Sequence, residues 1–299
     1  KGIQDSQLIT IDGKVMAVAF MANTQHLYVR TDVLKENGIA IPKTYEDVVA
    51  ASEKIRAAGK MKYPYAAAYK AGWNLAEEFV NMYIGHGGEF FESGSAKPSI
   101  NNAKGVATLN MLKKLADLSN PDYLTHDSEA IKVEWEAGNV AIMTLWASRS
   151  GTLLDDEGDA KITAATKLVA PATVGGGNIP AATLWWDGFT LAKNRSDADA
   201  EASFRAMAHA ASSKEMVAKA ADQAVWLVEG FVPGPKSVGV IEAVKMGAKP
   251  YPMLPQMGLM HGALGNEIVE FLQGNETAEQ ALKDVEAAYN TKAKEQGFL

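Results

Sequence analysis

The class this sequence predicts is α/β, with mainly parallel sheets. Three observations carry it: short β-branched or aromatic runs bounded by turn residues, longer segments with apolar residues at helical spacing, and alternation of the two along the chain. No internal repeat or low-complexity tract interrupts the alternation.

The chain opens in a hairpin. Leu8–Ile11 and residues 14–20 read as strands joined by Asp12-Gly13, a pair that accepts the positive φ of two-residue turns. Thr44 then caps a helix with Glu46 and Asp47 in its first turn, Val48, Val49, Ala51, Ile55 and Ala58 on its apolar face, and Gly59 as its stop. Further helices are predicted over 74–86, 103–118 and 128–137, each bounded by Gly, Asn or Ser. Residues 139–146 and 184–192 read as buried strands with a loop-rich stretch between them. Helices over 198–211, 213–221, 238–246, 261–272 and 277–294 complete the chain, the fourth weakened by Gly262 and Gly265, the last carrying a capping box of Thr277 with Gln280.

Composition excludes several classes of function. The net charge is −7, with 29 basic against 36 acidic residues, so no extended basic face is available for a phosphate backbone. The longest apolar runs, 15–22 and 140–146, fall far short of the ~20 residues a spanning helix needs. There is no cysteine, which removes disulfides, thiolate metal sites and a Cys nucleophile. The five histidines have no partner at helical spacing, so a zinc pair is not expected, and no cofactor is. Gly175-Gly176-Gly177 lacks the Lys-Ser or Lys-Thr of a phosphate loop and reads as a turn. No G-x-S-x-G elbow is present, so no catalytic residue is assigned. A glycosidase remains an alternative, because it needs a pair of carboxylates across a cleft and the chain has many acids.

Tryptophan is the informative residue type. Trp73, Trp146, Trp185 and Trp186 lie at element ends or beside polar neighbours, and ends of strands are where open α/β sheets place ligands. An indole face with hydrogen-bonding groups around it suits a pyranose ring. Trp146, followed by Ala147-Ser148-Arg149-Ser150, reads as the lip of a cleft. Adjacent strand residues face opposite ways, so one of Trp185 and Trp186 is expected in the cleft; Trp186, next to Asp187-Gly188, is the choice. Trp135 and Trp226 read as structural. Trp146→Ala is expected to weaken ligand binding and leave the ligand-free melting temperature little changed.

Residues 11–17 (IDGKVMA), 27–34 (LYVRTDVL), 42–47 (PKTYED), 188–192 (GFTLA), 230–233 (GFVP), 255–257 (PQM) and 277–282 (TAEQAL), taken in this order, resemble segments of the family 1 extracellular solute-binding proteins of bacterial ABC importers. The resemblance implies a two-lobed periplasmic binding protein type II fold with discontinuous lobes. Residues 1–24 and 188–236 would form the first lobe, and 25–187 with 237–299 the second. It also implies a ligand held between the lobes, a membrane permease as partner, and a periplasmic or extracellular location without membrane insertion; the tryptophans and the lack of a basic cluster point to a small neutral ligand, a mono- or oligosaccharide. Ligand contacts are then expected from Asn23 and Thr24 at the first crossing, Trp73, Trp146, Arg149 and His261 on the second lobe, and Trp186 and Asp187 at the return crossing. Family members begin with a strand and helix series ahead of the segment matching 8–20, so the first lobe is expected to be incomplete here, its open edges unstable or associating. An export signal is expected to have preceded Lys1.

Overall fold

The structure is a computed structural model that describes residues 8–155 and 158–299; the first seven residues of the expected first-lobe segment lie outside the described residues. Two sheets organise it. One contains β1 (Leu8–Ile11), β2 (Lys14–Asn23), β7 (Thr183–Phe189) and β9 (Lys249–Pro250) in that order, with β8 (Val225–Trp226) also paired to β2. The other has the order β4 (Tyr65–Ala66), β5 (Ile142–Trp146), β3 (Gln25–Arg30), β6 (Thr166–Val169).

The opening hairpin forms as predicted, with Asp12 at φ 50° and Gly13 at φ 73°, the two positive values a two-residue turn asks for. The expected mainly parallel sheets do not form. Only β4–β5 and β7–β9 run parallel among the described pairs; β1–β2, β2–β7, β2–β8, β3–β5 and β3–β6 are antiparallel. Alternation of strands and helices permits crossover connections, but where a returning strand docks is decided by packing, and here most dock beside a strand running the other way.

The main core lies around the second sheet, where the helices Tyr45–Ala57, Trp73–Gly85, Ala103–Ala116, Met257–Glu267 and Ala278–Glu295 bury Val48, Ile55, Phe79, Leu112, Leu264 and Leu282 completely. Their caps are those the sequence offers. Thr44 accepts from the Asp47 N–H while Asp47 accepts from that of Thr44, closing a capping box. At Thr277 only half the box forms: its Oγ accepts from the Gln280 N–H, but the Gln280 side chain turns to Asp284. The helix predicted over 261–272 begins earlier, at Met257, and gives way after Glu267 to a separate turn of helix, Val269–Gln273. Trp135 is fully buried with Tyr28, Ile131 and Met143, and Trp226 packs on Phe20, both structural as expected.

Candidate functional site

Thr24 is the single residue between β2 in one sheet and β3 in the other. Its two neighbours define what meets there. Asn23 stands opposite Trp185 across β2–β7, and Gln25 stands opposite Trp146 across β3–β5. One crossing therefore brings together indoles from two sheets, their centroids 6.0 Å apart and nearly perpendicular. Trp73, the first residue of the helix Trp73–Gly85, completes the cluster at 6.3 Å from Trp146 and 5.8 Å from Trp185, and Tyr251 packs on Trp185 at 4.4 Å.

Trp73 is half-exposed, yet its backbone is pinned. Gly72 precedes it at φ 95°, ψ −134°, a conformation side chains rarely adopt, and donates its N–H to the Gly265 carbonyl at 2.9 Å. A Cβ on Gly265 would lie 2.2 Å from the Gly72 oxygen, so the helix–helix approach requires glycine. His261 Nε2 sits 3.0 Å from the Trp73 carbonyl, which can only accept; Nε2 therefore carries the proton and Nδ1 accepts from the Tyr251 hydroxyl at 2.9 Å. Burial lowers the His261 pKa and keeps this neutral tautomer.

In front of the indoles lies a groove of about 340 Å³ lined by Asn23, Trp73, Asn74, Ser128, Trp146, Ser148, Arg149, Trp185 and Asp187. Asn23 donates to Ser148 Oγ at 3.1 Å and accepts the Ser148 N–H at 3.2 Å, clamping the crossing to the turn after β5. Arg149 pairs with Glu129 at the rim. Asp187 is partly desolvated, which raises its pKa.

The eight residues named from the sequence thus divide. Asn23, Trp73, Trp146, Arg149 and Asp187 line one groove. Thr24 is fully buried beneath it, donating to the Thr183 carbonyl at 2.8 Å, and His261 stands behind Trp73. Trp186 does not line the groove: it folds over Gly188, where an added Cβ would meet the ring at 2.9 Å, and the ring that faces the cluster is Trp185. Strand alternation contained this answer, since Trp185 shares a face with Asp187 and Trp186 cannot.

Sequence reasoning also missed a buried polar layer. On the otherwise apolar helix Trp73–Gly85, residues 73, 77 and 81 fall on one face. Glu77 Oε1 accepts from Trp185 Nε1 at 3.0 Å and lies 2.8 Å from Thr183 Oγ1; Asn81 accepts the Thr183 N–H at 2.7 Å and donates to Gln25 at 3.2 Å. Glu77 and Glu78 are buried without a cation among their hydrogen-bond partners, and desolvation pushes each carboxyl up to about 8. The signal was two polar residues four apart, Glu77 and Asn81, on the face that begins at Trp73 of an otherwise apolar helix.

Comparison with known proteins agrees with this architecture. Residues 2–250 match the family described as bacterial extracellular solute-binding protein. A probable ABC transporter-binding protein of Deinococcus radiodurans is 31% identical over 193 residues, 62% of this chain and 44% of the relative; the chain thus spans under half of that relative's length. Among solved structures, maltose-bound MalE3 of T. maritima superposes with a TM-score of 0.83 at 20% identity, over 97% of this chain and 76% of that one. A solute-binding protein of Agrobacterium radiobacter in complex with ribitol gives 0.82 at 19% identity, over 97% and 74%. The two-lobed binding-protein fold and the match over residues 2–250 lead to one assignment: the chain belongs to the bacterial extracellular solute-binding protein family.

Proposed function

We propose that this chain captures a small neutral solute, a sugar or polyol, in the groove at the sheet crossing, and presents it to the permease of an ABC importer on the outer side of the membrane. The observation that carries the reading is the cluster of Trp73, Trp146 and Trp185 bordered by Asn23, Arg149 and Asp187. Indole faces match the apolar face of a sugar ring, and the amide, guanidinium and carboxylate match its hydroxyl rim. The relatives support it: one carries maltose, another ribitol.

The lobes of this reading are residues 1–24 with 188–236 and residues 25–187 with 237–299, with the 183–187 segment of β7 as part of the hinge. Solute docks on the clustered indoles of Trp73, Trp146 and Trp185 in the second lobe, and closure brings the first lobe, from which Asn23 lines the groove, against it. A ligand shifts that equilibrium only by binding the closed form more tightly, so contacts must come from both sides of the crossing. Thr24 and His261 act from behind, fixing the crossing and Trp73. No bond is made or broken. Asp187 is the one carboxylate lining the groove among the described residues, whereas a glycosidase needs two facing each other.

Isothermal calorimetry with maltose, ribitol and leucine tests the reading. Saturable heat from maltose or ribitol, lost in Trp73→Ala, is the expected result; binding of leucine with no response to either neutral probe overturns it.

A further inference from the structure

Trp185 enters the groove from a strand, but its position is set from another element. Its Nε1–H is held between Glu77 Oε1 at 3.0 Å and Thr183 Oγ1 at 2.8 Å. Thr183 is in turn held at every polar atom: its N–H donates to Asn81, its carbonyl accepts from Thr24, and its hydroxyl faces Glu77 and Asn81. Glu77 is fully buried, its second oxygen has no hydrogen-bond partner, and it rides on the helix that begins with Trp73. One rigid helix thus fixes two of the three indoles: Trp73 directly and Trp185 through Glu77. Such a buried polar network specifies one geometry when satisfied, and supporting groups of this kind decide whether a binding constellation is preorganised.

We propose that Glu77 is a positioning residue of the groove, locking the Trp185 indole and joining it to the Thr24 and Thr183 crossings without touching the solute. The proposal rests on the solute-capture reading for its effect on affinity, but its geometric part is independent of any ligand. Removing the acceptor leaves an indole N–H without its carboxyl partner and frees the ring to turn, which disorders the groove before solute arrives. An amide in place of the acid keeps an acceptor oxygen of the same reach and holds the ring.

The test uses the 299-residue chain with ¹⁵N-labelled tryptophan. In the wild type the Trp185 indole N–H resonance is expected to move as Glu77 ionises through mildly alkaline pH, and in Glu77→Gln to keep its low-pH position throughout. Among the described residues the other titratable groups near this layer are Glu78 on the same helix, Asp187 on the Trp185 face of β7, Tyr251, whose ring packs on Trp185, and His261 behind Tyr251; their own titrations persist in Glu77→Gln and so are separable. For affinity, with maltose as the probe, Glu77→Leu should bind about tenfold more weakly and Glu77→Gln within about twofold of wild type. A Trp185 resonance without pH response in the wild type, the same response retained in Glu77→Gln, or Glu77→Leu binding maltose as wild type does would each overturn the proposal. If Glu77→Leu does not fold, the resonance decides; if the wild type ignores maltose, the solute reading fails while the resonance still tests the positioning role.

Discussion

At the scale of residues, the three indoles differ in what they support. Trp73 is 50% exposed, so Trp73→Ala should abolish most ligand binding while changing ligand-free stability by under about 1 kcal/mol, read from calorimetry beside a thermal melt. Trp146 is different. It packs against the core cluster of Tyr28, Trp135 and Leu145, and its carbonyl accepts from the Tyr28 hydroxyl. Its truncation removes core contacts, so Trp146→Ala should cost stability as well as affinity, on the order of 2 kcal/mol; an unchanged melting temperature would contradict this. The buried acids give a pH signature. Glu77 and Glu78 stay protonated in the fold to about pH 8 but ionise near 4.5 when unfolded, so their contribution is intact below pH 4.5 and lost as pH rises towards 8. His26 and His261, depressed by burial, act in the opposite sense only below about 6.5. Between pH 6.5 and 8 the unfolding free energy should therefore fall by up to about 1.4 kcal/mol per pH unit for each carboxyl, lowering the melting temperature with it, and less steeply in Glu77→Gln. A melting temperature that rises across this window would refute the assignment.

At the scale of elements, local chemistry decided where helices start, and close approach decided where they sit. Thr44→Ala removes the hydroxyl half of the capping box, leaving the backbone N–H that donates to Asp47, and should cost about 1 kcal/mol, measurable by urea unfolding. Gly265→Ala is the harsher change, because the new Cβ would collide with backbone, not with a side chain that can move. It should destabilise by roughly 1–3 kcal/mol and shift the Trp73 fluorescence, since the two helices must separate. A stable Gly265→Ala with wild-type emission would show that the Gly72–Gly265 contact does not hold Trp73.

At the scale of the whole molecule, the two sheets are unequally covered. Helices enclose the second, while on the first Ile11, Val15, Met16 and Phe204 are each about half-exposed, and β2, β7 and the helix Asp197–Ser212 border an apolar groove of about 460 Å³. Apolar patches of this kind drive association. The 299-residue chain should sediment with a concentration-dependent mass, and Val15→Lys with Phe204→Glu should return it towards the monomer; a monomeric wild type at all concentrations would contradict this. Ligand should stabilise the fold with the logarithm of its concentration, by about 2.7 kcal/mol at a hundred times its Kd, seen as a rising melting temperature.

Much of this was legible in order along the chain. The Asp12-Gly13 turn and the Thr44 and Thr277 caps are local signals, each set by the φ or hydrogen-bonding needs of a few adjacent residues, and the family-like segments add a resemblance in the same order. They gave the α/β class and pointed to Asn23, Trp73, Trp146, Arg149 and Asp187 as neighbours. What tertiary structure alone decided was pairing across distance. Antiparallel docking replaced the expected parallel sheets, Trp185 rather than Trp186 turned to the groove, and Glu77 came to lie under a ring 108 residues away. The physical reason is common to all three: a strand's neighbour and a buried acid's partner are chosen by the packing of surfaces that are remote in sequence, and a linear reading carries the preferences of each surface but not the one it meets.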